Sequence, residues 1–97
     1  MDDVVEGGAV VLPLEGTLDL HTFKPGEVKS VVEEYLLACR SRGILELRIV
    51  HGKGTGSLRR QVHAVLGRTS EVSRFALAPE TAGGWGATLV TLRPLTK

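Results

Sequence analysis

Cysteine is almost missing from this chain: Cys39 stands alone among 97 residues. A lone thiol can close no internal disulfide and build no thiolate zinc site, so a disulfide scaffold is excluded. A reducing, cytoplasmic setting is the expectation. Aromatic residues are sparse too, Phe23, Tyr35, Phe75 and Trp85 only. That is too few for the stacking platform on which single-strand binders lay successive bases. Long apolar runs are absent. The longest, Ala9 to Leu14, counts six residues with Pro13 included, whereas a membrane-spanning helix needs about 20. No membrane partner is therefore expected. The opening Met1-Asp2-Asp3 is acidic rather than basic-then-apolar, so no secretory leader is expected. There is no room for two cores either, because halves of this length fall near the size where domains need disulfides or metals to hold together. One domain over residues 9–97 is expected, behind a flexible acidic stretch over residues 1–8 that ends in Gly7-Gly8.

An excess of one charge sign is also missing, with a net charge of +1. The charges are unevenly spread, however. Residues 1–47 hold four basic and nine acidic side chains, and residues 48–97 hold eight basic and two acidic. A basic second half suits an anionic partner.

The apolar pattern then fixes an order of elements. Ala9 to Leu14 reads as an extended lead-in, with Pro13 confining it to an edge. Thr17-Leu18-Asp19-Leu20-His21 alternates with period two, which predicts a strand burying Leu18 and Leu20 and presenting Thr17, Asp19 and His21. Val28, Val31, Val32, Tyr35, Leu36 and Cys39 follow helical spacing and predict a helix over residues 25–42. Pro25 suits its first position, Arg40 and Arg42 its last turn, and Gly43 its C-terminal cap. Cys39 lies on the apolar stripe as a small core residue. Ile44 to Val50 reads as a second strand. A glycine-rich loop, His51-Gly52-Lys53-Gly54-Thr55-Gly56, leads into a second helix. There Leu58, Val62, Val65 and Leu66 form the buried side, Arg59, Arg60 and His63 form the exposed side, and Gly67 marks the end. Val72 to Leu77 and Ala87 to Leu92 are two more strands, joined by a loop long for a hairpin.

This βαβαββ order predicts an α/β chain of the two-layer α+β kind: a four-stranded mixed sheet with two helices on one face. The first two strands should be parallel, joined by a right-handed crossover, and the last two antiparallel. The uncovered face would carry Asp19, Arg48 and Arg74. In sheets with parallel strands, ligands bind beyond the strands' carboxyl ends. His21 and His51 end the first two strands, so both are expected at that edge.

The Gly52–Gly56 loop has the physics of a phosphate cradle: glycines let backbone N–H groups approach an anion, Lys53 adds a cation, and the helix that follows offers its positive end. It is neither a Walker loop nor a dinucleotide-binding turn. A flexible connector between strand and helix is the competing reading. Arg59 and Arg60 beside it either extend a cationic track for a sugar–phosphate backbone or form an ordinary solvated helix face. Gly83-Gly84-Trp85-Gly86 is either a flexible hairpin or a place where backbone and an indole face meet a ligand.

Three motifs in their order and spacing resemble the small MutS-related (Smr) domain: Leu18-Asp19-Leu20-His21, His51-Gly52-Lys53-Gly54-Thr55-Gly56 and Gly83-Gly84-Trp85-Gly86-Ala87-Thr88. The resemblance covers about residues 16–92. It implies a fold similar to the C-terminal domain of bacterial translation initiation factor 3. It also implies binding of DNA or RNA and, as in several members, an endonuclease that nicks or cuts it. By this resemblance Asp19 and His21 belong to the motif linked to cleavage. The loop of His51, Gly52, Lys53, Gly54, Thr55 and Gly56 belongs to the motif linked to substrate binding. Gly84, Trp85 and Gly86, with Arg59 and Arg60, complete the expected binding surface. His21 or His51 would serve as general base or acid, since an imidazole titrates near neutral pH. Asp19 would orient a histidine or bind a divalent cation, Mg or Mn, through its carboxylate. One departure stands out: Thr22 follows His21 where the family usually has glycine. The alternatives are a nucleic-acid-binding module without catalysis and, third, a protein-interaction domain using the open sheet face.

Overall fold

The computed structural model describes residues 16–54, 56–82 and 84–95. The expected flexible stretch over residues 1–8 and the extended segment Ala9 to Leu14 lie outside the described residues, as does Thr55.

Six main elements follow one another: β1 (Thr17–Asp19), α1 (Val28–Ser41), β2 (Glu46–Val50), α2 (Ser57–Arg68), β3 (Val72–Leu77) and β4 (Ala87–Leu92). The sheet order is β1-β2-β4-β3. β1 and β2 are parallel, with Leu18 opposite Ile49 and Asp19 opposite Val50. β4 inserts antiparallel between β2 and β3, with Ile49 opposite Thr88 and Leu77 opposite Thr88 on the other side. The βαβαββ mixed sheet expected from the sequence is thus the fold.

The core lies between the sheet and the two helices. Leu18, Leu47, Ile49, Val90 and Leu92 come from the strands, and Val28, Val32, Tyr35, Leu36, Cys39, Val62, Val65 and Leu66 from the helices. Leu20 is fully buried just past β1, where its N–H still reaches Val50 O at 2.9 Å. Burial also pushes the Cys39 thiol pKa up, as suits a core residue. No helix among the described residues is long and apolar enough to cross a membrane.

Several boundaries differ from the sequence reading, each for a local reason. Residues Pro25–Glu27 form a 3-10 turn before α1 begins. Glu27 folds its carboxylate back onto the Lys24 N–H at 2.9 Å, the return bond of a capping box. α1 ends as its sequence suggests. Gly43 takes φ +80°, and Ile44 N–H and Gly43 N–H donate to Cys39 O and Arg40 O at 2.8 and 3.1 Å. That pair of bonds is the Schellman closure. Ile44 and Leu45 remain outside β2, half-buried against the core. Gly67 does not end α2, which continues through Arg68; Thr69 then caps it by bonding its hydroxyl to Val65 O at 2.7 Å. The long β3–β4 connection coils into two 3-10 turns, Glu80–Ala82 and Gly84–Gly86.

Candidate nucleic-acid interface

β1 and β2 run parallel and end side by side, because Asp19 is in register with Val50. The residues that follow each strand, His21 and His51, therefore leave the sheet at one edge. Their surroundings differ sharply.

His21 is on the surface. Asp19 Oδ1 accepts two bonds from it, one from the backbone N–H at 3.0 Å and one from the ring Nδ1 at 2.8 Å. The two bonds fold residues 19–21 into an Asx-type turn that presents the imidazole outward. The side chains of Asp19 and His21 are 52% and 75% exposed. The His21 backbone N–H, followed by its ring, holds the Asp19 carboxyl below the usual carboxylate range. Since a carboxylate oxygen only accepts, His21 Nδ1 carries a proton, and in the neutral ring the lone pair is left at Nε2. Thr22 is exposed, and among the described residues no non-glycine has a positive φ. The turn thus accepts a β-branched residue without backbone strain.

His51 is indoors, 6% exposed. Its Nδ1 lies 3.1 Å from Gly52 O and its Nε2 lies 2.8 Å from Thr88 Oγ1. Both ring nitrogens are engaged within the protein, unlike those of His21.

The glycine loop is docked onto the start of β4. The N–H groups of His51 and Gly52 both donate to Gly86 O at 2.9 Å. A Cβ on Gly86 would stand 3.5 Å from Lys53 Cγ and 3.7 Å from Gly52, in ordinary van der Waals contact, so it is the two hydrogen bonds to its carbonyl that hold the segments together. Gly52 takes φ +80° and Gly56 φ +90°, conformations that favour glycine. Gly54 has no positive φ, and nothing lies within 4 Å of where its Cβ would be. Lys53 and Gly54 are exposed. Gly56 occupies the N-cap of α2, beneath both arginines: a Cβ there would sit 3.0 Å from Arg59 Nη2 and 3.6 Å from Arg60 Nη1. Gly84 takes φ +56° beside the Glu80 carboxylate. The Trp85 side chain and residue 83 lie outside what the structure describes.

Between the loop and the segment after β1 runs a cleft of about 280 Å³. Phe23 and Pro25 form one wall, and Gly54, Gly56, Arg59 and Gln61 form the other. Gln61 Nε2 bonds Pro25 O at 3.1 Å across it. Asp19 and His21 do not line this cleft.

One placement corrects the sequence reading. His63 is not on the exposed side of α2 with Arg60. It is half-buried, with Nε2 2.8 Å from Thr88 Oγ1 and its ring 5.0 Å from that of Phe75. Helical geometry explains this. His63 follows Val62 by about 100° and Arg59 lies between them in projection, whereas Arg60 points nearly opposite Val62. Arg59 and His63 therefore border the buried stripe. Sequence reasoning also gave Thr88 no role. The available signal was a threonine on a strand face otherwise apolar at Val90 and Leu92.

Burial depresses the pKa of both His51 and His63, and the Arg59 charge adds to it; for His63 the neighbouring His51 contributes as well. Among the described residues no three histidine, cysteine, aspartate or glutamate side chains converge on a metal position. Asp19 offers one carboxylate, with Oδ1 already taken by His21. A magnesium ion there would draw its other ligands from water and substrate phosphates.

A family model described as the Smr domain matches residues 18–93. Endonuclease MutS2 of Solidesulfovibrio magneticus is 44% identical over 94 residues, covering 90% of this chain and 12% of that protein. Endonuclease MutS2 of Thermus thermophilus is 42% identical over 77 residues, covering 79% and 10%. The chain thus spans about a tenth of the length of these relatives. The crystal structure of the Smr domain of Thermus thermophilus MutS2 is similar with a TM-score of 0.77 at 41% identity, over 80% of this chain and 98% of that one. A stand-alone small MutS-related protein from Escherichia coli has a TM-score of 0.77 at 26% identity, over 84% and 66%.

Proposed function

The chain belongs to the Smr domain family, and from that premise we propose that it binds DNA or RNA in the cytoplasm and cleaves a phosphodiester bond in it. The observation that carries this reading is the juxtaposition at one sheet edge. A glycine loop capped by Arg59 and Arg60 opens α2, and an aspartate–histidine pair ends the neighbouring parallel strand.

In this reading the backbone of residues 52–56, Lys53 and the two arginines hold phosphates. Their charges and the positive end of α2 favour an anion there. His21 is the general base. Asp19 holds its Nδ1–H, leaving Nε2 to take a proton from the attacking hydroxyl or water as oxygen bonds to phosphorus. The P–O ester bond breaks on the opposite side, and the imidazolium or solvent returns a proton to the leaving oxygen. Asp19 stabilises the imidazolium that forms, the division of labour known from histidine–aspartate pairs elsewhere. His51, with both nitrogens engaged, supports the loop rather than the proton transfer.

A second reading, binding without cleavage, is favoured by the exposure of the Asp19–His21 pair, which no wall of the cleft encloses. The test is purified protein incubated with supercoiled plasmid and with structured RNA, each with magnesium, manganese or chelator. Nicked plasmid or cut RNA supports the enzyme. Retention of both substrates without product supports the binding module. Failure to retain either overturns both readings.

A further inference from the structure

Beneath the glycine loop, three side chains from three elements meet at one oxygen. Thr88 on β4 is fully buried, and its Oγ1 lies 2.8 Å from His51 Nε2 and 2.8 Å from His63 Nε2. The two rings stand edge-on, 6.1 Å apart. A hydroxyl has a single proton to give, so the two histidines cannot be equivalent.

Gly52 O only accepts, so the bond at His51 Nδ1 places the proton of the neutral ring on Nδ1. His51 Nε2 is then a lone pair and accepts from the Thr88 hydroxyl. Having spent its proton, Thr88 Oγ1 must accept from His63, which puts the His63 proton on Nε2 and a lone pair on its Nδ1. Every donor points the same way: His63 to Thr88, Thr88 to His51, His51 to the Gly52 carbonyl.

We propose that Thr88 and His63 are positioning residues for the nucleic-acid loop, acting through a one-way hydrogen-bond relay that fixes His51 as its Nδ1–H tautomer and clamps the base of the loop. The loop's first peptide is held on both sides. Gly86 O takes the N–H groups of His51 and Gly52, and the His51 ring takes the Gly52 carbonyl. Lys53 and Gly54 project from this anchored base into solvent. Pre-ordering a loop in its bound shape lowers the entropy lost on binding. Two other groups bear on the rings, the Arg59 guanidinium on the same helix as His63 and Phe75 on β3, and the rings bear on each other. None supplies a carboxylate that would draw a second proton onto His51. A proton placed on His51 Nε2 would aim two N–H donors at one buried oxygen and leave the Thr88 proton without its acceptor.

The positioning role rests on the nucleic-acid reading above; the tautomers do not. Long-range 1H–15N spectra of the labelled protein at neutral pH read the tautomers directly. His51 is expected protonated at Nδ1 and His63 at Nε2, and the reverse assignment overturns the relay. Binding of a fluorescent DNA oligonucleotide and of an RNA hairpin is then measured for Thr88→Val and Thr88→Ser. Valine keeps the shape and removes the hydroxyl. It is expected to weaken binding about five- to tenfold, roughly the worth of one neutral hydrogen bond, and serine to recover most of that loss. Equal binding by the two variants overturns the positioning role. If Thr88→Val fails to fold, His63→Leu and His63→Gln make the same comparison from the other end of the relay, since only glutamine keeps an N–H donor. A parent that binds neither probe overturns the nucleic-acid reading and the positioning role with it, while the tautomers decide the relay by themselves.

Discussion

His21 is bound to Asp19 twice, through its backbone N–H and through its ring, at the same carboxylate oxygen. The pair needs no help from the core: Leu18 and Leu20 on the opposite face are buried, while Asp19 and His21 stand in solvent. Function at this pair can therefore be removed with little effect on folding.

Asp19→Asn and His21→Ala should each lower any cleavage by about 10²- to 10⁴-fold, the usual worth of a general acid or base. Binding should stay within a few-fold of the parent. A plasmid-nicking assay beside a binding isotherm checks both. Thr22→Gly is the informative companion. Since Thr22 sits without a positive φ, the substitution should change activity little if the turn alone governs the site. A large gain would show that close approach of the substrate at residue 22 matters instead.

Arg59 and Arg60 both lie over Gly56 at the entrance of α2. Replacing both by alanine should weaken binding to all sequences alike and flatten its dependence on salt, because with fewer phosphate contacts binding releases fewer counterions. Titrations at several salt concentrations measure the slope. An unchanged slope would remove the arginines from the interface.

Gly54 and Gly56 should behave differently on substitution. Gly54→Val meets open space and no positive φ, so the thermal melt should stay near that of the parent while binding falls. Gly56→Ala must adopt φ +90° against Arg59. It should cost about 1–2 kcal/mol of stability, visible in the melt itself. A Gly54→Val protein that binds like the parent would make the loop a connector.

Acid should destabilise the domain through its two inner histidines. Burial lowers the pKa of both in the folded state, so below the ordinary histidine value of about 6.5 the unfolded chain binds protons that the folded chain does not. The stability present above that value is lost as pH falls toward the folded values. Melting temperature should be level near neutrality and decline through weakly acidic pH. The decline should be shallower in His63→Gln, which removes one titrating ring. Asp19 acts in the same direction at lower pH, where its carboxylate takes up the proton. Asp19→Asn separates that contribution.

The sequence alone determined the order of elements, the parallel pairing of the first two strands and the edge that His21 and His51 share. These follow from local periodicity, from Gly43 past the end of α1 and from the crossover that a helix between two strands imposes. The placement of β4 between β2 and β3 was not local information, because antiparallel partners are chosen by which apolar faces meet across the whole chain. The histidines show the difference most clearly. His21 and His51 end neighbouring strands and look alike as letters, yet one stands exposed beside Asp19 and the other is held by Thr88, 37 residues further on. His63 reads as part of a basic helix surface, and only the packing of α2 against β3 and β4 turned it inward. Whether a side chain on the border of a helical stripe faces water or a buried hydroxyl is decided by what stands opposite it, and only the folded sheet puts Thr88 there.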